Sequence, residues 1–338
     1  MTQRFQRIYF IDIAKTIAIV LVVIGHFIPA GSPQWWVDVR TVIYTFHMPL
    51  FFFASGFLFA YTERPMPYRR FLQHKAQRLM LPYLTASVLI ICFKLLTERG
   101  TDVAAIDNPV TPMAFLQMFW EPSAGYFLWF IWALMWMFVV AGLFRGKRAR
   151  LWLLAVGVVL AYEPYVFTRL FCINQAREMF VYFMLGAVVS DSAKLIANPR
   201  LNCRGTVLCV SVFVLFAVLE WMFIACWQNS VVLRALLPYV GIAAMMALSV
   251  LIDYGRPNRI KASLLYLAPY SYFIYLFHTT FEGVAKALLL RVPLFERLDG
   301  LVFALLAFVV VAVGIVGPVF VYKWIVARFR VLRVAFGQ

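Results

Sequence analysis

The chain has 338 residues, 64% of them hydrophobic, with a mean hydropathy of +0.85 and only 14% charged side chains. A soluble globule of this length cannot be so apolar, so composition excludes one and indicates an all-α, polytopic membrane protein. The net charge of +16 needs no nucleic-acid partner, because the basic residues fall mostly in short loops that would face anionic lipid.

A hydrocarbon core about 30 Å thick takes roughly 20 mostly apolar residues per helical span. On that measure about ten spans are predicted, with cores at 8–30, 41–61, 79–97, 126–144, 151–168, 176–193, 205–227, 231–252, 263–288 and 300–322. With the N-terminus in the cytoplasm, the inner segments hold 21 of the 31 Lys and Arg residues and the outer segments seven. That excess places both termini inside. No stretch is long enough for a soluble domain, so residues 1–338 read as one membrane domain.

The first span, "IDIAKTIAIVLVVIGHF", keeps Asp12, Lys15 and His26. The two ionisable residues near its start, and the lack of a small-residue cleavage site, argue against a removable signal peptide. Eleven residues separate Lys15 from His26, three turns plus about 20°, so both share one face about 16 Å apart along the axis. Asp12, three residues before Lys15, can neutralise it. A structural ion pair with a snorkelling Lys15 and an interfacial His26 is the bland alternative.

In the second span, "TFHMPLFFFASGFLF" sets His47 and Pro49 before a phenylalanine run, with Ser55 beyond it. Pro49 removes a backbone hydrogen bond and is expected to bend or break the helix beside a cavity. The basic segment "TERPMPYRRFLQHKAQR" follows, and from Tyr68 it reads as an amphipathic stretch on the cytoplasmic surface. The longest outward connection, about Glu98 to Gly125, either closes over an extracytoplasmic substrate or is an interfacial filler anchored by Phe119 and Trp120. The cysteines Cys92, Cys172, Cys203, Cys209 and Cys226 are scattered and read as small apolar fillers.

Near the end, "PYSYFIYLFHTTFEG" places Ser271, Tyr275, His278 and Glu282 at spacings of four, three and four, one polar stripe facing protein or water. Polar glue between helices is the alternative. Three of the four histidines thus lie in spans, where an imidazole suits proton transfer near neutral pH. No HxxxH or HExxH spacing supports a metal.

Five segments in order, "IDIAKTIAIVLVVIGHF", "FHMPLFFFASGFLF", "KAQRLMLPY", "YFLWFIWALMW" and "YSYFIYLFH", make the chain resemble the membrane acyltransferase-3 family, in its fucose 4-O-acetylase-like branch. The family's arginine and histidine of the first span correspond to Lys15 and His26. Its R-x-x-R before the third span corresponds to Lys75 and Arg78. Lysine at both first positions gives up the planar bidentate fork.

The resemblance implies an integral O-acyltransferase in the bacterial inner membrane. It would move an acetyl group from cytoplasmic acetyl-CoA to a hydroxyl of a glycan or lipid-linked sugar outside. His26 is then the candidate base, His47 orients it or shares the role, and Lys15 and Asp12 line the inner end of a water-accessible passage. Lys75 and Arg78, with Arg69 and Arg70 near them, would dock the coenzyme A phosphates. Ser55, Tyr83, Trp129 or Tyr275 would donate to the oxyanion, Trp129 and Trp132 would stack on sugar rings, and Ser55, Trp129, Tyr275 and His278 are expected at the acceptor. Direct transfer and an acetyl-imidazole intermediate both fit. A multi-span carrier or flippase is the competing class.

Overall fold

A computed structural model describes residues 7–97, 109–163, 165–166, 168, 170–192, 203–226, 230–254, 258–292 and 300–337. Among them there is no strand, as expected where lipid leaves backbone groups no partner outside their own segment. The helices are α1 (Tyr9–His26), α2 (Gln34–Tyr61), α3 (Tyr68–Thr97), α4 (Ala114–Gln117), α5 (Trp129–Leu143), α6 (Lys147–Ala161) and α7 (Ile173–Val189), then α8 (Cys203–Cys226), α9 (Val231–Tyr254), α10 (Arg259–Leu267), α11 (Ser271–Leu289), α12 (Gly300–Trp324) and α13 (Arg330–Ala335).

Among the described residues, seven stretches are long and apolar enough to cross a membrane: Tyr9–His26, Gln34–Tyr61, Tyr68–Thr97, Tyr126–Leu143, Gly205–Ala225, Val231–Tyr254 and Gly300–Arg328. Each coincides with a predicted span. The other three predicted spans contain helix as well, with α6 and α7 at 15 and 17 residues and α11, which bears the polar stripe, at 19. α6 stops at Ala161, short of the predicted 168, ahead of Pro164, whose ring disfavours helix in the residue before it.

Two helices begin well before their predicted cores. α2 starts right after Pro33, and Gln34 of its first turn donates to Asp38 at 2.9 Å. α3 starts at Tyr68 and runs 30 residues, so the basic segment expected as a separate surface stretch is the first part of that helix. Pro49 and Pro82 lie inside helices. Pro49 therefore does not break α2, although it frees the carbonyl of Thr45, four residues back.

The chain divides into two compact units, residues 1–62 with 189–322, and residues 63–188 with 323–338. In the first, α1 is the hub and lies against α2, α9, α10 and α11. A cluster of Phe10, Ile11, Ala54 and Phe57 packs near one end of α1. Near the other, Phe27, Trp36, Ala285, Phe303, Leu306 and Val310 pack together and bring in α11 and α12. Between lipid-immersed helices such contact is mainly close van der Waals packing.

In the second unit α3 packs against α4, α5 and α13. Buried Tyr83 shares its hydroxyl between the carbonyls of Met118 at 2.7 Å and Glu121 at 3.1 Å. The described half of the long connection, 109–125, is thereby tied to α3, while its first part, 98–108, is outside the described residues. Phe119 is exposed. Phe171 and Cys172 adopt left-handed φ values of 56° and 54°, a costly conformation for bulky residues. It is held where the Phe171 N–H donates to Trp120 O at 2.8 Å and Trp136 Nε1 donates to Phe171 O at 3.0 Å. Cys172 is buried and Cys92 exposed; the side chains of Cys203 and Cys226 are outside the description.

Candidate functional site

The site forms where α1 ends. A helix terminus leaves its last carbonyls without intrahelical partners, and two side chains from the first turns of α2 take them here. Arg40 Nε donates to Gly25 O at 3.1 Å and Trp36 Nε1 donates to Phe27 O at 2.7 Å. His26 sits between the two held carbonyls. The chain turns back through Gly31, at φ +79°, and Ser32, whose hydroxyl donates to Pro29 O at 2.6 Å. Glycine at 25 lets the helices approach, since a Cβ there would stand 2.9 Å from Tyr44 Cε2.

Three histidines converge on this end. The rings of His26 and His278 are 5.0 Å apart, centroid to centroid. Tyr44 links the other pair, with its ring 6.4 Å from His26 and 4.7 Å from His47. The Arg40 guanidinium lies 4.1 Å over the Tyr44 ring and is within electrostatic reach of His26 and His47. His47 Nδ1 is 2.8 Å from Ile43 O, and His278 Nδ1 is 2.9 Å from Tyr275 O. A carbonyl only accepts, so both rings carry hydrogen on Nδ1 and present Nε2 as the proton-accepting atom.

The stripe read from the sequence is real. Ser271, Tyr275, His278 and Glu282 are all buried, so this face of α11 points into protein. Ser271 donates to Ala268 O at 3.0 Å, and the Tyr275 ring lies 6.4 Å from that of His278. Ser55 is half-buried on α2, two turns beyond His47.

Lys15 is half-buried toward the opposite end of α1. Asp12 is within electrostatic reach of it, as the spacing suggested. The Asp12 carboxylate, however, also accepts from Arg7 Nε at 2.7 Å, so the expected pair is a cluster with two cations.

The predicted coenzyme residues and Trp129 belong to the second unit. The Lys75 ammonium lies 4.0 Å over the Phe138 ring and 5.5 Å over that of Phe71. Arg69, Arg70 and Arg78 are exposed on the same helix. Trp129 is half-buried at the first turn of α5, and Trp132 packs edge-on against Tyr83 and Phe171. Among the described residues no cluster of His, Cys, Asp and Glu could hold a metal ion.

Sequence reasoning missed Arg40 and Tyr44. Their signal was present, since Arg40, Tyr44 and His47 are spaced four and three apart, but Arg40 lay ahead of the predicted core at 41 and counted only as a loop charge. It also missed Glu220 of α8, which is buried and accepts a hydrogen bond from Thr45 of α2.

A family model described as "Acyltransferase domain", that of the acyltransferase-3 proteins, matches residues 8–323. Nodulation protein NolL of Sinorhizobium fredii is 28% identical over 255 residues, covering 70% of this chain and 66% of that protein. Nodulation protein NolL of Mesorhizobium japonicum is 30% identical over 162 residues, 45% of this chain and 40% of its own length. The chain thus spans less than two thirds of the length of these curated relatives. No solved structure matches it.

Proposed function

The chain belongs to the acyltransferase-3 family, and on that premise we propose that it is a membrane O-acetyltransferase of the fucose 4-O-acetylase-like branch. It takes the acetyl group from cytoplasmic acetyl-CoA and passes it to a hydroxyl of a glycan or lipid-linked sugar on the outer face of a bacterial inner membrane. Both termini lie in the cytoplasm, in line with the basic loops.

The observation that carries this reading is the meeting of His26, His47 and His278 at one end of α1. Alcohol attack on a thioester needs a base for the hydroxyl proton. The oxygen adds to the acetyl carbonyl as His26 takes that proton, the C–S bond then breaks, and the proton ends on the coenzyme A sulfur. His47 and His278, each fixed through Nδ1 to its own helix, hold the surroundings of His26 and offer further Nε2 acceptors. Lys15, about 16 Å from His26 along the axis, lines the donor end of the passage with Asp12. Lys75 and Arg78, with Arg69 and Arg70, meet the phosphates of coenzyme A. Ser55, Trp129 and Tyr275 remain the candidates for contacts to the acceptor or the oxyanion.

The test is transfer of labelled acetyl from acetyl-CoA to methyl glycosides by the purified protein in lipid. Acetylated glycoside with the wild type supports the reading. A protein that neither hydrolyses acetyl-CoA nor acetylates any glycoside, but takes up solute in vesicles, contradicts it and points to a carrier.

A further inference from the structure

Glu282 is a carboxyl group inside the first unit that the reaction described above does not use. It is 5% exposed, and among the described residues its Oε1 has no hydrogen-bond partner. The helices around it are shaped to admit it. A Cβ on Gly314 of α12 would stand 2.8 Å from Glu282 Cγ, 3.1 Å from its Oε1 and 2.9 Å from Val23 Cγ1. Glycine at 314 therefore leaves the space in which the carboxyl rests beside α1. Val23 is about one turn before His26, and Glu282 is one turn beyond His278. The carboxyl thus lies toward the histidine end of α1 and α11. Lys286, one turn further along α11, is within electrostatic reach of it.

A buried polar atom without a partner asks for an explanation, and ionisable side chains inside membranes mark substrate paths. An ionised carboxylate oxygen only accepts, so toward that form the missing partner is a hydrogen-bond donor. Coenzyme A is a poor fit to it, because its phosphates offer acceptors and negative charge rather than donors. A sugar hydroxyl is neutral, donates well and is what the histidine end receives under the proposed function, on which this inference rests. We propose that Glu282 is an acceptor-binding residue whose Oε1 takes the hydrogen bond of a hydroxyl on the sugar, aligning it beside His26 and His278.

Methyl glycosides of hexoses and 6-deoxyhexoses serve as probes, with acetyl-CoA as donor and the purified chain in lipid. The experiment compares Glu282→Met, which keeps the volume but removes the acceptor oxygen, with Glu282→Gln, which keeps a weaker one. The expected result is a rise in the KM for the glycoside of tenfold or more with Met and of a few-fold with Gln, while the KM for acetyl-CoA moves less than twofold. An unchanged glycoside KM in the folded variants overturns the assignment, as does an equal rise in both constants. If the Met variant does not fold, the Gln variant decides by the same criterion. A wild type that neither hydrolyses acetyl-CoA nor acetylates any glycoside removes the proposed acetyl transfer and this assignment together, an outcome distinct from a failure of the variants alone.

Discussion

His47 and His278 are buried, and each gives one ring nitrogen to the backbone of its own helix. On α3 the situation is reversed: Arg69, Arg70 and Arg78 stand exposed, and Lys75 is half-buried against two phenylalanine rings. Proton transfer depends on ring position within a few tenths of an ångström, so a base profits from being held. Attraction of a multiply charged phosphate is long-ranged and tolerant of geometry, so exposed cations suffice for it. Under the proposed function the held histidines would serve chemistry and the cations of α3 donor capture.

Substitutions can break that contrast. Among the side chains around His26 the largest effect is expected from His278→Ala or His47→Ala, each lowering the transfer rate by about 10²-fold with little change in the KM for acetyl-CoA. A rate within twofold of wild type would show that the held rings are packing alone. Arg40→Met keeps much of the apolar stem but loses the guanidinium over Tyr44 and the bond to Gly25 O. It should cut the rate by about tenfold through displacement of His26, in keeping with one charged hydrogen bond.

Changes on α3 should divide the other way. Lys75→Ala with Arg78→Ala is expected to raise the KM for acetyl-CoA by about tenfold, one half-buried and one exposed cation being worth little more than that. The wild-type KM for acetyl-CoA should itself rise with salt as screening grows. A lower rate at unchanged KM would move these residues to the chemistry. The smallest effect on transfer belongs to Trp36→Phe, which keeps a ring among Phe27 and Phe303 but loses the indole bond to Phe27 O. A loss of about 1 kcal/mol in stability, read from thermal unfolding in detergent, is expected with transfer largely kept.

Much of this was legible in the sequence because helical spans and polar stripes repeat with fixed periods. Ser271, Tyr275, His278 and Glu282 announce one buried face by spacing alone. Helix ends were less legible, since hydropathy marks where lipid begins and not where the helix does. α2 begins at Gln34, six residues before Arg40, and Gln34, Asp38 and Arg40 itself kept that stretch out of the apolar core. Contacts between helices left no periodic trace. Nothing local tells that Glu220 would pair with Thr45, that Lys75 would lie on Phe138, or that Gly314 would leave room for Glu282. For Asp12 the nearness of Lys15 was foreseen, while its ion pair, at 2.7 Å, is with Arg7 from just outside the span.

The most direct measurement is acetyl transfer from labelled acetyl-CoA to a methyl glycoside by purified wild-type and His26→Ala protein in the same lipid, at matched folding by thermal unfolding. The wild type is expected to acetylate the glycoside, and the variant to be slower by about 10²- to 10⁴-fold, the range for loss of a general base. A His26→Ala protein that transfers acetyl at the wild-type rate would contradict the assignment of the base at the end of α1.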